Sequence, residues 1–147
     1  DVCRNDLSRV AKKGTVTVDK LFDIESFKQV HQMVSTVKCE LKNDTTFKNS
    51  IDATFPMASM TGAPKIRAME LIDEYEVYNR NAYSGTIGYI DENGNFELSV
   101  LIRSIFYNEE KKYLSFTVGS AITSMANAED EYEECLLKAK AMMQVLS

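Results

Sequence analysis

Two short polar runs constrain the fold of this chain more than any other feature. Asp91-Glu92-Asn93-Gly94-Asn95 and Asn108-Glu109-Glu110-Lys111-Lys112 interrupt three segments rich in β-branched and aromatic residues, Tyr83 to Ile90, Phe96 to Tyr107 and Tyr113 to Gly119. Connections of that length make hairpins, so these strands are antiparallel neighbours. Upstream, Thr15 to Phe27 and His31 to Leu41 read as two further strands, the second carrying Val34, Thr36 and Val37. Arg4 to Ala11 reads as the end of a helix stopped near Gly14. Asp44 or Thr45 is placed to cap a short helix reaching Phe55. Pro64 opens another, whose apolar stripe is Ile66, Met69, Leu71 and Ile72. A last helix spans about Ala128 to Val145 with Asn127 as N-cap, and places Tyr132, Cys135, Leu136, Ala139, Met143 and Leu146 on one face. Hairpins outnumber βαβ units in this order. The expected class is therefore α+β, with a largely antiparallel sheet and helices covering it.

Composition narrows the function. A length of 147 residues, 44% hydrophobic and 27% charged, suits one modest domain with a core. No apolar run is long enough for a membrane span, and no basic stretch followed by an apolar one reads as a leader. The net charge of −5 argues against a nucleic-acid partner. It leaves room for a small anionic ligand, which needs only a local cluster of donors. Cys3, Cys39 and Cys135 are odd in number and form no CxxC pair. They fit buried thiols in a reducing compartment such as the cytoplasm better than disulfides or zinc. The chain opens on Asp1 rather than Met, so it is expected to begin inside something longer or to have been processed.

Several residue groups can carry chemistry. The run Ser59-Met60-Thr61-Gly62-Ala63-Pro64-Lys65 offers two hydroxyls, a glycine, a helix N-terminus and a lysine. Together these suit an anion, although ordinary capping at a loop–helix junction explains them equally. Glu131, Glu134 and Lys138 fall on one helical ridge. Two carboxylates so close can share a divalent cation of the Mg²⁺ kind, or can belong to a solvated acidic face with Glu129, Asp130 and Glu133. His31, the single histidine, is either a proton carrier or a structural residue. Arg103 interrupts the apolar run Val100-Leu101-Ile102, and an arginine buried in a strand needs an anion. Gly119-Ser120-Ala121 ends a strand with small residues whose N–H groups can face a carboxylate. The Tyr83 hydroxyl stands at a strand start.

Six stretches in sequence resemble the chorismate-binding enzymes, a family that includes anthranilate, aminodeoxychorismate, isochorismate and salicylate synthases. They are Arg4 to Val10, Val30 to Val37, Ser59 to Lys65, Tyr83 to Tyr89, Ile102-Arg103-Ser104 and Glu131 to Lys140. They keep family order along essentially the whole chain. The order of residues in Ser59-Met60-Thr61-Gly62-Ala63-Pro64-Lys65, with Phe55-Pro56 before it and Tyr132-Glu133-Glu134 later, resembles the aminodeoxychorismate-forming members. Anthranilate-forming members are the second choice, having the threonine and serine exchanged.

The resemblance implies a fold, residue roles and partners. Residues 1–147 would be the C-terminal portion of a catalytic domain in which two sheets are sandwiched under helices. Glu134 would ligate Mg²⁺ with Glu131 close by. The metal would hold the ring carboxylate of chorismate and favour loss of its 4-hydroxyl. His31 would lie near the reacting ring and Ser59 would touch the substrate. Tyr83 and Arg103 would grip the enolpyruvyl carboxylate. The backbone of Gly119, Ser120 and Ala121 would bind a carboxylate, and Lys138 would assist at the ring carboxylate. Ala121 departs from the glycine many relatives have there, which crowds that contact. A further metal-ligating glutamate and a reactive lysine would lie upstream of Arg4-Asn5-Asp6, so this stretch alone is expected to be inactive. The implied reaction joins chorismate and ammonia into 4-amino-4-deoxychorismate, on the route to 4-aminobenzoate and folate, with a glutamine amidotransferase as ammonia source. A non-catalytic chorismate- or Mg²⁺-binding module and a purely structural fragment are the readings of other classes.

Overall fold

The computed structural model describes residues 1–27 and 31–147. Val30, which opens the family-like run ending at Val37, lies outside the described residues. The chain divides into two compact units, Asp1–Val77 and Tyr78–Ser147.

In the first unit, helix α1 (Val2–Ser8) leads into strand β1 (Thr17–Ser26), which pairs antiparallel with β2 (His31–Lys38) from Thr17↔Lys38 to Ser26↔His31. The pairing slips between Val18 and Lys20 and again between Lys20 and Asp23. At the second irregularity Phe22 turns to φ 57, and its N–H finds the Ser35 hydroxyl at 3.1 Å in place of a ladder carbonyl. α1 ends at Ser8, short of the expected Ala11. The backbone instead turns so that Ala11 bridges Leu41, with Lys12 N–H on the Glu40 carbonyl and Lys42 N–H on the Val10 carbonyl.

Helix α2 (Phe47–Thr54) is capped by Thr46, one residue beyond the expected candidates. The Thr46 hydroxyl accepts the Asn49 N–H while the Asn49 side chain accepts the Thr46 N–H, a reciprocal box in which asparagine replaces the usual glutamate. α2 packs on α1, burying Asp6, Ser50 and Ala53. One 3₁₀ turn, Ala58–Met60, precedes helix α3 (Lys65–Tyr75), whose N-cap is Pro64.

The second unit holds two hairpins and a long helix. Strands β3 (Thr86–Ile90) and β4 (Phe96–Val100) pair antiparallel from Thr86↔Val100 to Ile90↔Phe96. The Asp91 carboxylate ties their turn by accepting the N–H groups of Asn93 and Asn95 and the Asn95 side-chain amide. Those donors, the Asn95 amide foremost, hold its carboxyl below the usual range. Strands β5 (Ile105–Asn108) and β6 (Tyr113–Phe116) form the other hairpin. The expected single strand from Phe96 to Tyr107 is thus two. The chain leaves the ladder after Val100 through the Ile102 N–H bond to the Val100 carbonyl, and Arg103 sits at φ 52. Helix α4 (Ala128–Leu146) closes the unit, with Asn127 accepting the Glu129 and Asp130 N–H groups as expected.

Among the described residues the strands form three antiparallel pairs rather than one larger sheet. The core is thinner than the composition suggested. Among the described residues the buried apolar side chains are Val10, Ala11, Ala53, Ala139 and Met142. Of the expected α4 face only Ala139 is buried, and Tyr132, Leu136, Met143 and Leu146 are exposed. Phe22 at 63% and Ile24 at 74% stand exposed on β1. Two-stranded sheets are marginal when isolated, and these display apolar surface of the kind that partners cover. No helix among the described residues is long and apolar enough to cross a membrane.

Candidate active site

The cap at Asn127 sets the phase of α4, and that phase turns Glu131, Glu134 and Lys138 along one ridge facing the segment after β6. Lys138 Nζ donates to the Gly119 carbonyl at 2.9 Å and pairs with Glu134 Oε1 at 2.5 Å. The Ser120 hydroxyl donates to Glu131 Oε2 and lies within hydrogen-bonding reach of Glu134. A Cβ placed on Gly119 would stand 2.8 Å from the Tyr83 hydroxyl. Glycine at 119 is therefore what lets the phenol approach the backbone here. Tyr83, Gly119, Ser120, Glu131, Glu134 and Lys138, six of the residues singled out in the sequence, are brought together by this packing.

The charges are balanced within the group. The Lys138 ammonium, by its hydrogen bond first and its charge second, holds the Glu134 carboxyl below the ordinary 4.5, and Ser120 adds to the effect. The Glu134 side chain is half exposed and Lys138 is 29% exposed, so a small ligand can reach both from solvent. Among the described residues no three His, Cys, Asp or Glu side chains gather as a metal set. Two carboxylates one turn apart plus a hydroxyl are nevertheless all-oxygen donors. That partial set suits Mg²⁺, which commonly takes one or two protein carboxylates and fills the remaining positions with water and substrate.

Tyr83 owes its place to a turn that local sequence signals did not reveal. Its N–H bonds the Arg80 carbonyl, Ser84 N–H bonds the Leu101 carbonyl, and Leu101 N–H returns to the Gly85 carbonyl. Ser84 is buried at φ 67 and accepts from Arg80 Nη1 at 3.2 Å. Arg80 and Ser84 thus support the site without having been anticipated, because the bond to Leu101 spans strands distant in sequence. Ala121 follows the cluster and is exposed. Arg103 is not the buried strand residue expected. It is exposed in the link between β4 and β5, where the backbone has left the ladder, so burial demands no anion of it.

His31 and Ser59 belong to the other unit. His31 is the exposed first residue of β2, with Nδ1 bonded to the Ser26 hydroxyl at 2.9 Å across the hairpin. Ser59 is exposed on the 3₁₀ turn. Neighbouring groups expected to serve an anion are engaged internally. Thr61 Oγ1 contacts the Met57 and Ala58 carbonyls, and Lys65 pairs with Asp6.

Comparison with known proteins agrees with the resemblance. The family described as chorismate binding enzyme matches residues 1–144, and the chain belongs to it. Aminodeoxychorismate synthase, chloroplastic, of Arabidopsis thaliana is 44% identical over 96% of this chain and 15% of that protein. Anthranilate synthase component 1 of Acetivibrio thermocellus is 40% identical over 99% of this chain and 29% of its own length. The crystal structure of anthranilate synthase component I from Streptococcus pneumoniae TIGR4 superposes with a TM-score of 0.82 at 34% identity, covering 97% of this chain and 32% of that one. The chain thus spans less than a third of the length of these relatives, or about a third for the solved structure.

Proposed function

We propose that this chain is the C-terminal portion of the catalytic domain of an aminodeoxychorismate synthase, which converts chorismate and ammonia to 4-amino-4-deoxychorismate. The observation that carries the reading is the convergence of Tyr83, Gly119, Ser120, Glu131, Glu134 and Lys138 on one solvent-accessible spot in a chain of the chorismate-binding family. The name of the Arabidopsis relative and the order of residues from Ser59 to Lys65 support the choice of product. The Acetivibrio relative favours anthranilate formation as the second reading.

Glu131 and Glu134 would hold Mg²⁺, which supplies charge neutralisation at a substrate carboxylate as the 4-hydroxyl departs. Ser120 orients the Glu131 carboxylate by donating to it. Lys138, held beside this ridge by the Gly119 carbonyl and Glu134, would offer its ammonium to the ring carboxylate. The Tyr83 hydroxyl and the Arg103 guanidinium take the enolpyruvyl carboxylate, for which the arginine fork is suited. His31, with Nδ1 held by Ser26, orients the reacting ring or carries a proton through its other nitrogen. Ser59 contacts the substrate through its hydroxyl. A glutamine amidotransferase domain or subunit supplies the ammonia. A reducing compartment such as the cytoplasm suits the three free thiols.

The test is a chromatographic product assay on the full-length protein with chorismate, ammonium and Mg²⁺. Aminodeoxychorismate is the expected product. Anthranilate would transfer the chain to the second reading, and no product from chorismate would overturn both.

A further inference from the structure

Lys65 closes the run Ser59 to Lys65, whose residue types suit either an anion or ordinary capping of a helix. Its ammonium is instead sequestered, and all of its donors have partners inside the protein. Nζ donates to Asp6 Oδ2 at 2.6 Å, to the Pro56 carbonyl at 2.6 Å and to the Thr54 carbonyl at 3.3 Å. An ammonium has three donors, so the set is complete. The Lys65 and Asp6 side chains are 16% and 7% exposed. Asp6 stands on α1, Thr54 ends α2 and Lys65 begins α3. One side chain therefore fastens three helices.

It also fastens both ends of the loop between α2 and α3. Thr54 and Pro56 are at the start of that loop and Lys65 is at its end, so the ammonium closes it into a ring with Ser59 inside. Within the ring, the Met60 N–H bonds the Met57 carbonyl at 2.9 Å, and Thr61 Oγ1 contacts the Met57 and Ala58 carbonyls. At the far side, a Cβ on Gly62 would meet Ala68 Cβ at 3.0 Å, so the loop lies close on α3.

We propose that Lys65, with Asp6 as its counter-ion, is a positioning residue that fixes the loop presenting the Ser59 hydroxyl. The lysine touches no substrate and acts by holding the Thr54 and Pro56 carbonyls. The inference rests on the reading of Ser59 as a substrate-contacting group. It separates two jobs of one side chain, neutralising a buried carboxylate and clamping two carbonyls. A pair of apolar residues can replace the first and cannot replace the second.

The experiment uses the full-length protein in four variants: Lys65→Met, the double variant Asp6→Leu/Lys65→Met, and Ser59→Ala in the native and in the double-variant background. Lys65→Met strands the Asp6 carboxylate and lowers Tm. The double variant removes both charges and recovers most of the lost Tm, because replacing a buried ion pair by apolar groups of similar size is often neutral, while the Thr54 and Pro56 carbonyls still lack their donor. In both variants amide exchange at residues 57–63 accelerates by about 10-fold or more, as a clamped segment gains local opening. KM for chorismate rises by about 10-fold in the double variant although most of its Tm is restored, since a loosened positioning group costs binding geometry. Ser59→Ala then costs much less in the double variant than in the native protein, because the two changes act on one interaction.

A double variant with native Tm and native exchange at 57–63 would overturn the proposal, as would a Ser59→Ala cost that is the same in both backgrounds. If the native protein makes no product from chorismate, the functional reading fails, while the exchange measurement still decides whether Lys65 clamps the loop.

Discussion

Two lysine–carboxylate pairs of nearly equal length do opposite work in this chain. Lys65–Asp6 measures 2.6 Å and Lys138–Glu134 measures 2.5 Å. The first joins residues 59 apart in sequence and is almost wholly withdrawn from solvent; the second joins residues four apart on one helix with its carboxylate half exposed. A buried pair has no water to fall back on, so breaking it leaves a charge that nothing else can solvate. An exposed pair is worth little to folding and is easily traded for another partner. Burial, rather than bond length, assigns the first pair to architecture and makes the second available for chemistry.

The strongest way to break this comparison is to remove one charge from the buried pair. Asp6→Asn keeps the shape of the side chain but leaves the Lys65 ammonium without its counter-ion. Urea denaturation of the full-length protein is expected to show a loss of about 3 kcal/mol, the lower end for an orphaned buried partner. A loss under about 1 kcal/mol would place Lys65–Asp6 in the same class as surface pairs.

The complementary change is Glu134→Gln in the exposed pair. Here the fold should survive with Tm nearly unchanged, while turnover of chorismate at ordinary Mg²⁺ falls by about 100-fold, the upper end of the loss seen when a metal site loses even a supporting residue. Near-normal turnover would remove Glu134 from the site. A large fall in Tm would show that the exposed pair is architectural after all.

The contrast also explains what the sequence could reveal. The ridge that carries Lys138 and Glu134 was legible because helical spacing is local: once Asn127 is recognised as a cap, the phase of α4 and the alignment of Glu131, Glu134 and Lys138 follow. The two hairpin turns were legible for the same reason, since Asp91 and Asn108 bond backbone groups within four residues of themselves. The Lys65–Asp6 pair was not legible, because no local pattern announces a partner 59 residues away. The break after Val100 was missed as well. Val100-Leu101-Ile102 has the composition of a strand, and the chain leaves the ladder only because the Ile102 N–H turns back to the Val100 carbonyl and Arg103 takes φ 52. The core was overestimated because apolar content says nothing about whether its partner surface lies in the same 147 residues.

A smaller effect tests how the open site is shaped. Gly119→Ala would bring a Cβ within 2.8 Å of the Tyr83 hydroxyl and push the phenol away. Both residues are only partly buried, so Tm should move little. The catalytic efficiency kcat/KM for chorismate should fall by about 10-fold, as expected when a positioning group shifts by a fraction of an ångström. If Gly119→Ala/Tyr83→Phe is no worse than Gly119→Ala, the clash acts through the hydroxyl; a further fall would separate the two residues.

The smallest effect concerns pH and bears on whether the exposed pair is poised to exchange partners. The Glu134 carboxyl is held below the ordinary 4.5 chiefly by its hydrogen bond to Lys138. A group whose folded value is depressed contributes its stabilisation above the unfolded value and loses it as pH falls through the folded one. The pair is therefore intact at neutral pH and dissociates only below 4.5, with little effect on unfolding because the carboxylate is half solvated. Carbon-13 titration of the Glu134 carboxyl without added metal should give a midpoint below 4.5, and Lys138→Met should move it upward. In the native protein, adding Mg²⁺ at neutral pH should shift the Glu134 carboxyl and Lys138 Cε resonances together, as the cation replaces the ammonium. A carboxyl whose midpoint ignores Lys138→Met would mean that the pair is not formed in solution, and the contrast with Lys65–Asp6 would reduce to one ion pair rather than two.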